Sequence, residues 1–202
     1  MKIAKTKNRR WGKSMRIKLR TYLLGACFCA LAAPALAGDF TLTSPNIKDG
    51  GPIALAQVFN GDGCTGGDHS PALSWSGEPA GTESFAVTIH DPDAPTGSGW
   101  WHWTVFNIPK NVHHLALNAG AAGSKLLPKG AGEGRTDFGF SYYGGPCPPV
   151  GDAPHHYEIT VFAVKVKKLP LNAQSSGALV GFVLHFNTLA TTKLTGLYGR
   201  SK

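Results

Sequence analysis

Two short, stiff segments carry the residues of this chain best suited to chemistry. The first runs Asp91-Pro92-Asp93-Ala94-Pro95 and leads to Trp100-Trp101-His102-Trp103. The second runs Gly144-Gly145-Pro146-Cys147-Pro148-Pro149 and leads to Pro154-His155-His156-Tyr157. Proline fixes φ, and glycine permits backbone geometries that other residues avoid, so such loops hold side chains and bare peptide N–H groups in set positions. Carboxylates, imidazoles and free N–H groups held in this way are the parts of a small anion-binding pocket.

Each residue type suggests a role. Asp91 and Asp93 sit at i, i+2, which places both carboxylates on one side while strand geometry persists. They read either as a hydrogen-bonding or metal-binding pair, or as the caps of an Asx-type turn. His102 lies among three tryptophans, whose indoles supply apolar walls for a concave site; at least one of them should belong to the core. His155 and Tyr157 share a strand face by period two, and His156 takes the other. Gly144 and Gly145 expose backbone N–H groups, whereas Pro146, Pro148 and Pro149 offer none. The set favours binding an anion's oxygens, more tightly below about pH 6.5, where histidine is protonated. No nucleophile is evident, because Ser141 lacks a nucleophile-elbow context and Cys147 is expected to be oxidised. Two aspartates and two histidines could also hold a cation, so a metal-assisted phosphoester hydrolase is the competing reading. A spacing such as His-Glu-x-x-His does not occur, no metal ligands are assigned, and no cofactor is implied.

The elements that must position these residues are mostly strands. Ser84 to His90 and Tyr157 to Val164 alternate with aliphatic residues on both faces, as central strands do, and Trp103 to Ile108 is a third such run. Weaker strands are expected at Phe40 to Thr43, Ala54 to Phe59 and Ala72 to Trp75, the last at an edge or beginning at Pro71. After Ser175-Ser176, the residues Leu179, Phe182, Val183 and Phe186 follow i, i+3, i+4, i+7. They predict a helix with that stripe buried and serine as its N-cap. Thr192 to Tyr198 then forms a last strand. The fold class is mainly β, a sandwich with a helix in its C-terminal region.

Charge and cysteines narrow the function classes. The whole chain carries +8, but nine of its 20 Lys/Arg lie in the first 20 residues. That basic stretch, the apolar run Tyr22 to Leu31 and the site Ala35-Leu36-Ala37 make a secretory signal peptide over residues 1–37, with Met15 as an alternative start. From Gly38 onward there are 11 Lys/Arg against 12 Asp/Glu, a net charge of −1, which removes the case for nucleic acid. No later apolar run approaches the ~20 residues of a membrane span, so residues 38–202 read as one domain in the periplasm or secreted, with no stable membrane insertion. Cys64 and Cys147 remain in that domain and read as a disulfide, worth roughly 4 kcal/mol on a chain-entropy basis.

Taken in order, the two segments resemble the signatures of the phosphatidylethanolamine-binding protein (Raf kinase inhibitor-like) family. Thr96-Gly-Ser-Gly-Trp-Trp-His-Trp, Gly134-Arg-Thr-Asp-Phe-Gly and Ser176-Gly-Ala-Leu-Val-Gly are similar to its bacterial YbhB/YbcL branch, of the exported YbcL type. The resemblance covers nearly all of Phe40 to Arg200. It implies a sandwich of two antiparallel sheets and a pocket for a small phosphate-type anion or phospholipid headgroup, without catalysis. The implied binding set is Asp91, Asp93, Pro95, Trp101, His102, Gly145, Pro148, Pro149, His155 and Tyr157. An inhibitory or regulatory protein partner and a homodimer are also implied as states to test.

Overall fold

The computed structural model describes residues 38–202; the signal-peptide expectation lies outside them. The strands are β1 (Thr41–Thr43), β2 (Gly51–Pro52), β3 (Asn60–Gly61), β4 (Cys64–Thr65), β5 (Leu73–Ser76), β6 (Ser84–Asp91), β7 (Trp100–Pro109), β8 (His114–Leu115), β9 (Gly132–Glu133), β10 (His155–Val164) and β11 (Thr188–Tyr198). The helix α1 spans Gly177–Asn187. A six-stranded sheet has the order β2-β11-β10-β6-β7-β9, and a three-stranded sheet the order β1-β5-β8. The large sheet is antiparallel except at its edge, where β2 runs parallel to β11.

Both runs with aliphatic residues on each face, β6 and β10, are central, because each of their faces is covered. One face of the large sheet packs Phe85, Val87, Ile159 and Val161 against Leu73, Trp75 and Leu115 of the small sheet. Its other face packs Ala86, Phe106 and Val164 against Val180 and Leu184 of α1. β5 starts just after Pro71, as expected, but lies between β1 and β8 rather than at an edge.

Two expectations about elements are corrected. Ala54 to Phe59 is not a strand but contains a 3-10 turn at Leu55–Gln57. Its carbonyls instead accept irregular bonds from the 66–69 backbone: Leu55 O from Gly67 N–H, Ala56 O from His69 N–H and Val58 O from Asp68 N–H. Between the two segments, β3 and β4 form a hairpin whose turn, Asp62-Gly63, has positive φ at both residues (50° and 79°). That is the backbone a two-residue hairpin turn of the I′ kind demands, and Asp-Gly is a favoured dipeptide for it. The Cys64–Cys147 disulfide joins this hairpin to the second rigid segment, with Cα atoms 6.0 Å apart.

The helix forms where expected, with the Ser176 side chain accepting from Leu179 N–H at 3.3 Å, but it is rotated. Gly177, Val180 and Leu184 are buried, while Phe182 and Phe186 are 63 % and 58 % exposed. The cause is close approach. A Cβ at Gly177 would run into the Trp101 ring, so the face with small residues lies on the sheet and the bulkier stripe is left outside. A helix apolar on both faces carries no period-based instruction about which one to bury. Leu184→Ala should therefore cost about 2–5 kcal/mol of unfolding free energy, and Phe182→Ala under about 0.5 kcal/mol. Urea titration of the two variants checks this ordering; a larger loss in Phe182→Ala would restore the original stripe.

Candidate functional site

The large sheet ends in a cavity of about 230 Å³ where β6 finishes and where β7 and β10 begin. Its lining includes Asp91, Pro95, His102, Pro148, Pro149, His155 and Tyr157 from the two rigid segments and the strands they lead into. Asp62, Ala94, Thr96, Trp100, Phe138 and Cys147 complete it.

Asp91 performs both roles the sequence left open. Its Oδ1 accepts from the N–H groups of Asp93 (2.9 Å) and Ala94 (3.1 Å), which closes the turn. Its Oδ2 lies 2.7 Å from His155 Nδ1, with Asp91 3 % and His155 4 % exposed. The other ring nitrogen of His155 is 3.5 Å from Asp152 Oδ2. An imidazole set between two carboxylates is oriented by both.

His102 reaches the cavity through an irregularity. Ile89 and His90 of β6 pair with Trp103 and Trp101 of β7, so β7 holds one extra residue there, and that residue is His102. In strict alternation His102 would share a face with Thr104 and Phe106, on the helix side; the bulge turns it to the other. Its Nδ1 lies 2.7 Å from Gly144 O, so the ring donates there and leaves Nε2 as an acceptor. Burial drives its pKa down to about 4, against the opposing pull of Gly144 O and Asp91. This imidazole is neutral at neutral pH, and it supplies no positive charge near pH 6.5.

Tyr157 is 1 % exposed, and its hydroxyl has no hydrogen-bond partner. Burial, and then the neighbouring Asp91 charge, raise its pKa, so it stays a phenol with a proton to donate. Asp91 is close enough to act electrostatically, although no hydrogen bond of normal geometry joins the two. Trp100 lines the same cavity, and its Nε1 is likewise buried without a partner. Leaving such a group unpaired costs about 1–3 kcal/mol, and both of these donors belong to residues that line the cavity.

Three expected residues are placed elsewhere. Asp93 does not line the cavity; its Oδ2 accepts from His156 N–H (2.8 Å) and faces His156 Nδ1 (2.7 Å), and those contacts, the backbone one first, hold its pKa below the usual range. Trp101 points to the helix side, where its ring lies 4.3 Å from that of His90 and under Gly177; Trp100 takes the place expected of it. Gly145 has no free N–H, because it donates to Asp68 Oδ1 at 2.7 Å. A Cβ there would strike Gln57 O and Phe59 N, so glycine serves close packing rather than anion binding. The Gly144 N–H is also engaged, by His102 O at 3.1 Å. Trp103 is core, its Nε1 donating to Glu133 Oε1 at 2.6 Å, and burial pushes that carboxyl up to about 7.

The sequence reading missed Asp62, Trp100 and Phe138. Period two from His102 would have found Trp100, and the Asp62-Gly63 dipeptide marked a tight turn. Phe138 had no local signal: it enters by stacking on Phe59 (4.5 Å) and meeting Trp100 edge-on (5.3 Å). Arg200 buttresses the rim, donating from Nε to Pro148 O (2.6 Å) and from Nη1 to Gly63 O (3.1 Å). Among the described residues, no three His, Cys, Asp or Glu converge as a metal site.

The chain is similar to known proteins along most of its length. The chain is 50 % identical over 180 residues to the YbcL protein of Escherichia coli (strain K12), covering 89 % of this chain and 98 % of that one. It is 44 % identical over 157 residues to YbhB of the same organism, covering 78 % and 98 %. The crystal structure of E. coli YbcL, described as a new member of the mammalian PEBP family, superposes with a TM-score of 0.79 at 54 % identity, covering 80 % of this chain and 99 % of that one. The profile of the family described as phosphatidylethanolamine-binding protein matches residues 43–199. That span runs from β1 to the residue after β11 and takes in both rigid segments, and the chain belongs to the phosphatidylethanolamine-binding protein family.

Proposed function

We propose that this protein is a non-enzymatic binding protein, exported to the periplasm or secreted, whose cavity holds a small phosphate-type headgroup carrying its own ammonium. The observation that carries this reading is the buried, unpartnered Tyr157 hydroxyl beside the Asp91–His155 pair. A phosphoryl oxygen reaching it, or the indole N–H of Trp100, supplies the missing acceptor. The leader and the disulfide support export, since a disulfide of this kind persists in an oxidising compartment.

Charge decides which phosphate. The cavity lining contains the carboxylates Asp62 and Asp91 and no Lys or Arg, and His102 is neutral. Arg200 at the rim is engaged by the Pro148 and Gly63 carbonyls, so a bare phosphate dianion inside the cavity faces the two carboxylates with no cation in the lining. A zwitterion instead directs its phosphate to Tyr157 and Trp100, and its ammonium to Asp62 and the faces of Trp100 and Phe138, where aromatic rings attract cations.

Calorimetric titration with phosphoethanolamine, ethyl phosphate and inorganic phosphate tests the reading. Phosphoethanolamine should bind best, Asp62→Asn should erase its lead over ethyl phosphate, and Tyr157→Phe should weaken both by about tenfold or more. Equal binding of all three would sink the zwitterion assignment, and turnover of a phosphomonoester would replace binding by metal-assisted hydrolysis.

The neutral state of His102 has its own consequence. Between its folded value of about 4 and the unfolded value of 6.5, the unfolded chain holds a proton here that the folded protein does not, so falling pH favours unfolding. Relative to His102→Asn, the wild type should lose up to about 3 kcal/mol as pH falls through that window, and nothing from this group above it. Urea midpoints of the two proteins between pH 7 and 4 measure the difference; parallel curves would show that His102 is not buried as a neutral ring.

A further inference from the structure

The end of the large sheet opposite the cavity has a different chemistry. After β10, the segment from Lys165 to Lys168 crosses that end. Lys165 N–H donates to Asn187 O at the C-terminus of α1, Val166 O accepts from Ser84 Oγ at the start of β6, and Leu169 N–H donates to Asn107 Oδ1 near the end of β7. Lys165, Lys167 and Lys168 are all exposed. Lys167 and Lys168 share a surface recess with Lys110; Glu83, the one carboxylate lining it, pairs with Lys110 at 3.4 Å.

Beside these lysines stands the apolar stripe that α1 leaves uncovered. Phe182 and Phe186 meet edge to face, with ring centroids 5.1 Å apart, and Leu179 and Leu189 extend the exposed row. Phe186 adjoins Asn187, the residue that holds Lys165. The chain also enters the fold at this end: the Asp39 backbone abuts Gly77, and Phe40 stacks on Phe85, the second residue of β6.

We propose that this end docks on an anionic lipid surface, with Lys165, Lys167 and Lys168 against the headgroups and Phe182 and Phe186 in the interface. Exposed phenylalanines and leucines on the outer side of a helix, with a row of lysines at its end, are the pattern by which peripheral helices lie on anionic membranes. The lysines set the sign of the partner, and rings on a projecting helix suit a deformable interface better than a preformed groove. The cavity lies the length of β6 away, roughly 25 Å, and stays open to solvent when this end is docked.

Co-flotation of the full chain, purified as its cell processes it, tests the proposal with phosphatidylcholine vesicles and with vesicles containing about a third phosphatidylglycerol. The protein should float with the anionic vesicles only, and high salt should release it. Replacing Lys165, Lys167 and Lys168 by Gln should weaken partitioning roughly a hundredfold, and Phe182→Ser with Phe186→Ser should weaken it at unchanged salt dependence. Both variants change exposed side chains and should keep the wild-type melting temperature. Equal partitioning onto neutral vesicles overturns the proposal. So does a Phe182/Phe186 variant that alters the native mass and leaves vesicle binding intact, since the stripe would then be an interface between copies of this chain. Headgroup titrations report on the cavity alone, so the two readings fail independently.

Discussion

A buried carboxylate–imidazole contact governs the arrangement of the cavity end. Asp91 closes β6 and His155 opens β10, and these adjacent strands are fastened at that end through 2.7 Å between Oδ2 and Nδ1. Both groups are almost fully withdrawn from water. Taking one away leaves the other uncompensated, a loss of about 3–5 kcal/mol in comparable buried pairs. The contact also spends the capacity of both groups. Asp91 Oδ1 is used by the turn it heads, and His155 has Asp152 at its remaining nitrogen. What stays unspent is the hydroxyl of Tyr157, two residues along the same strand face, and it is on this group that the proposed binding role rests.

The β7 bulge is the second constraint, and it works on both faces of the sheet. One extra residue sends His102 towards Gly144 and the cavity, while Trp101 stays on the helix side beneath Gly177. Without it, the imidazole would lie among Thr104, Phe106 and the helix, where neither Gly144 O nor the cavity could reach it. Two features that look separate in the sequence, a histidine among tryptophans and a glycine after a serine cap, are thus opposite sides of one irregularity.

Much of this was legible in the chain, and two of the failures share a physical cause. Strand pattern located β6, β7 and β10, and the rigid segments named Asp91, His102, Pro148, Pro149, His155 and Tyr157, because local stiffness and period two act over a few residues. Trp101 is expected from the motif's position in the resemblance, whereas alternation from His102 points to Trp100. Gly145 was credited with a free N–H because its partner, Asp68, lies 77 residues earlier in the chain. The periodicity of α1 points to the stripe that stays exposed, because only the Trp101 ring, supplied by β7, decides which face can come close. The misses at Gly145 and α1 rest on partners distant in sequence.

The connectivity itself explains why the two ends of the sheet differ. β6 runs towards the cavity, while its antiparallel neighbours β7 and β10 run away from it, so the link from Asp91 to Trp100 and the approach to His155 must both lie at the cavity end. Those links hold Asp, Gly, Pro and His, which set backbone geometry and bond to one another. The exit from β10 must lie at the opposite end, and there the chain carries Lys165, Lys167 and Lys168 around the helix terminus. The cavity and the exposed lysines are therefore held apart by the length of the strands. The cavity lining holds carboxylates and rings, and the lysines at the far end lie beyond a Debye length of about 8 Å from it. The proposed choice of ligand therefore depends on the charges at the cavity end, Asp62, Asp91 and the rim residue Arg200, and not on the distant lysines.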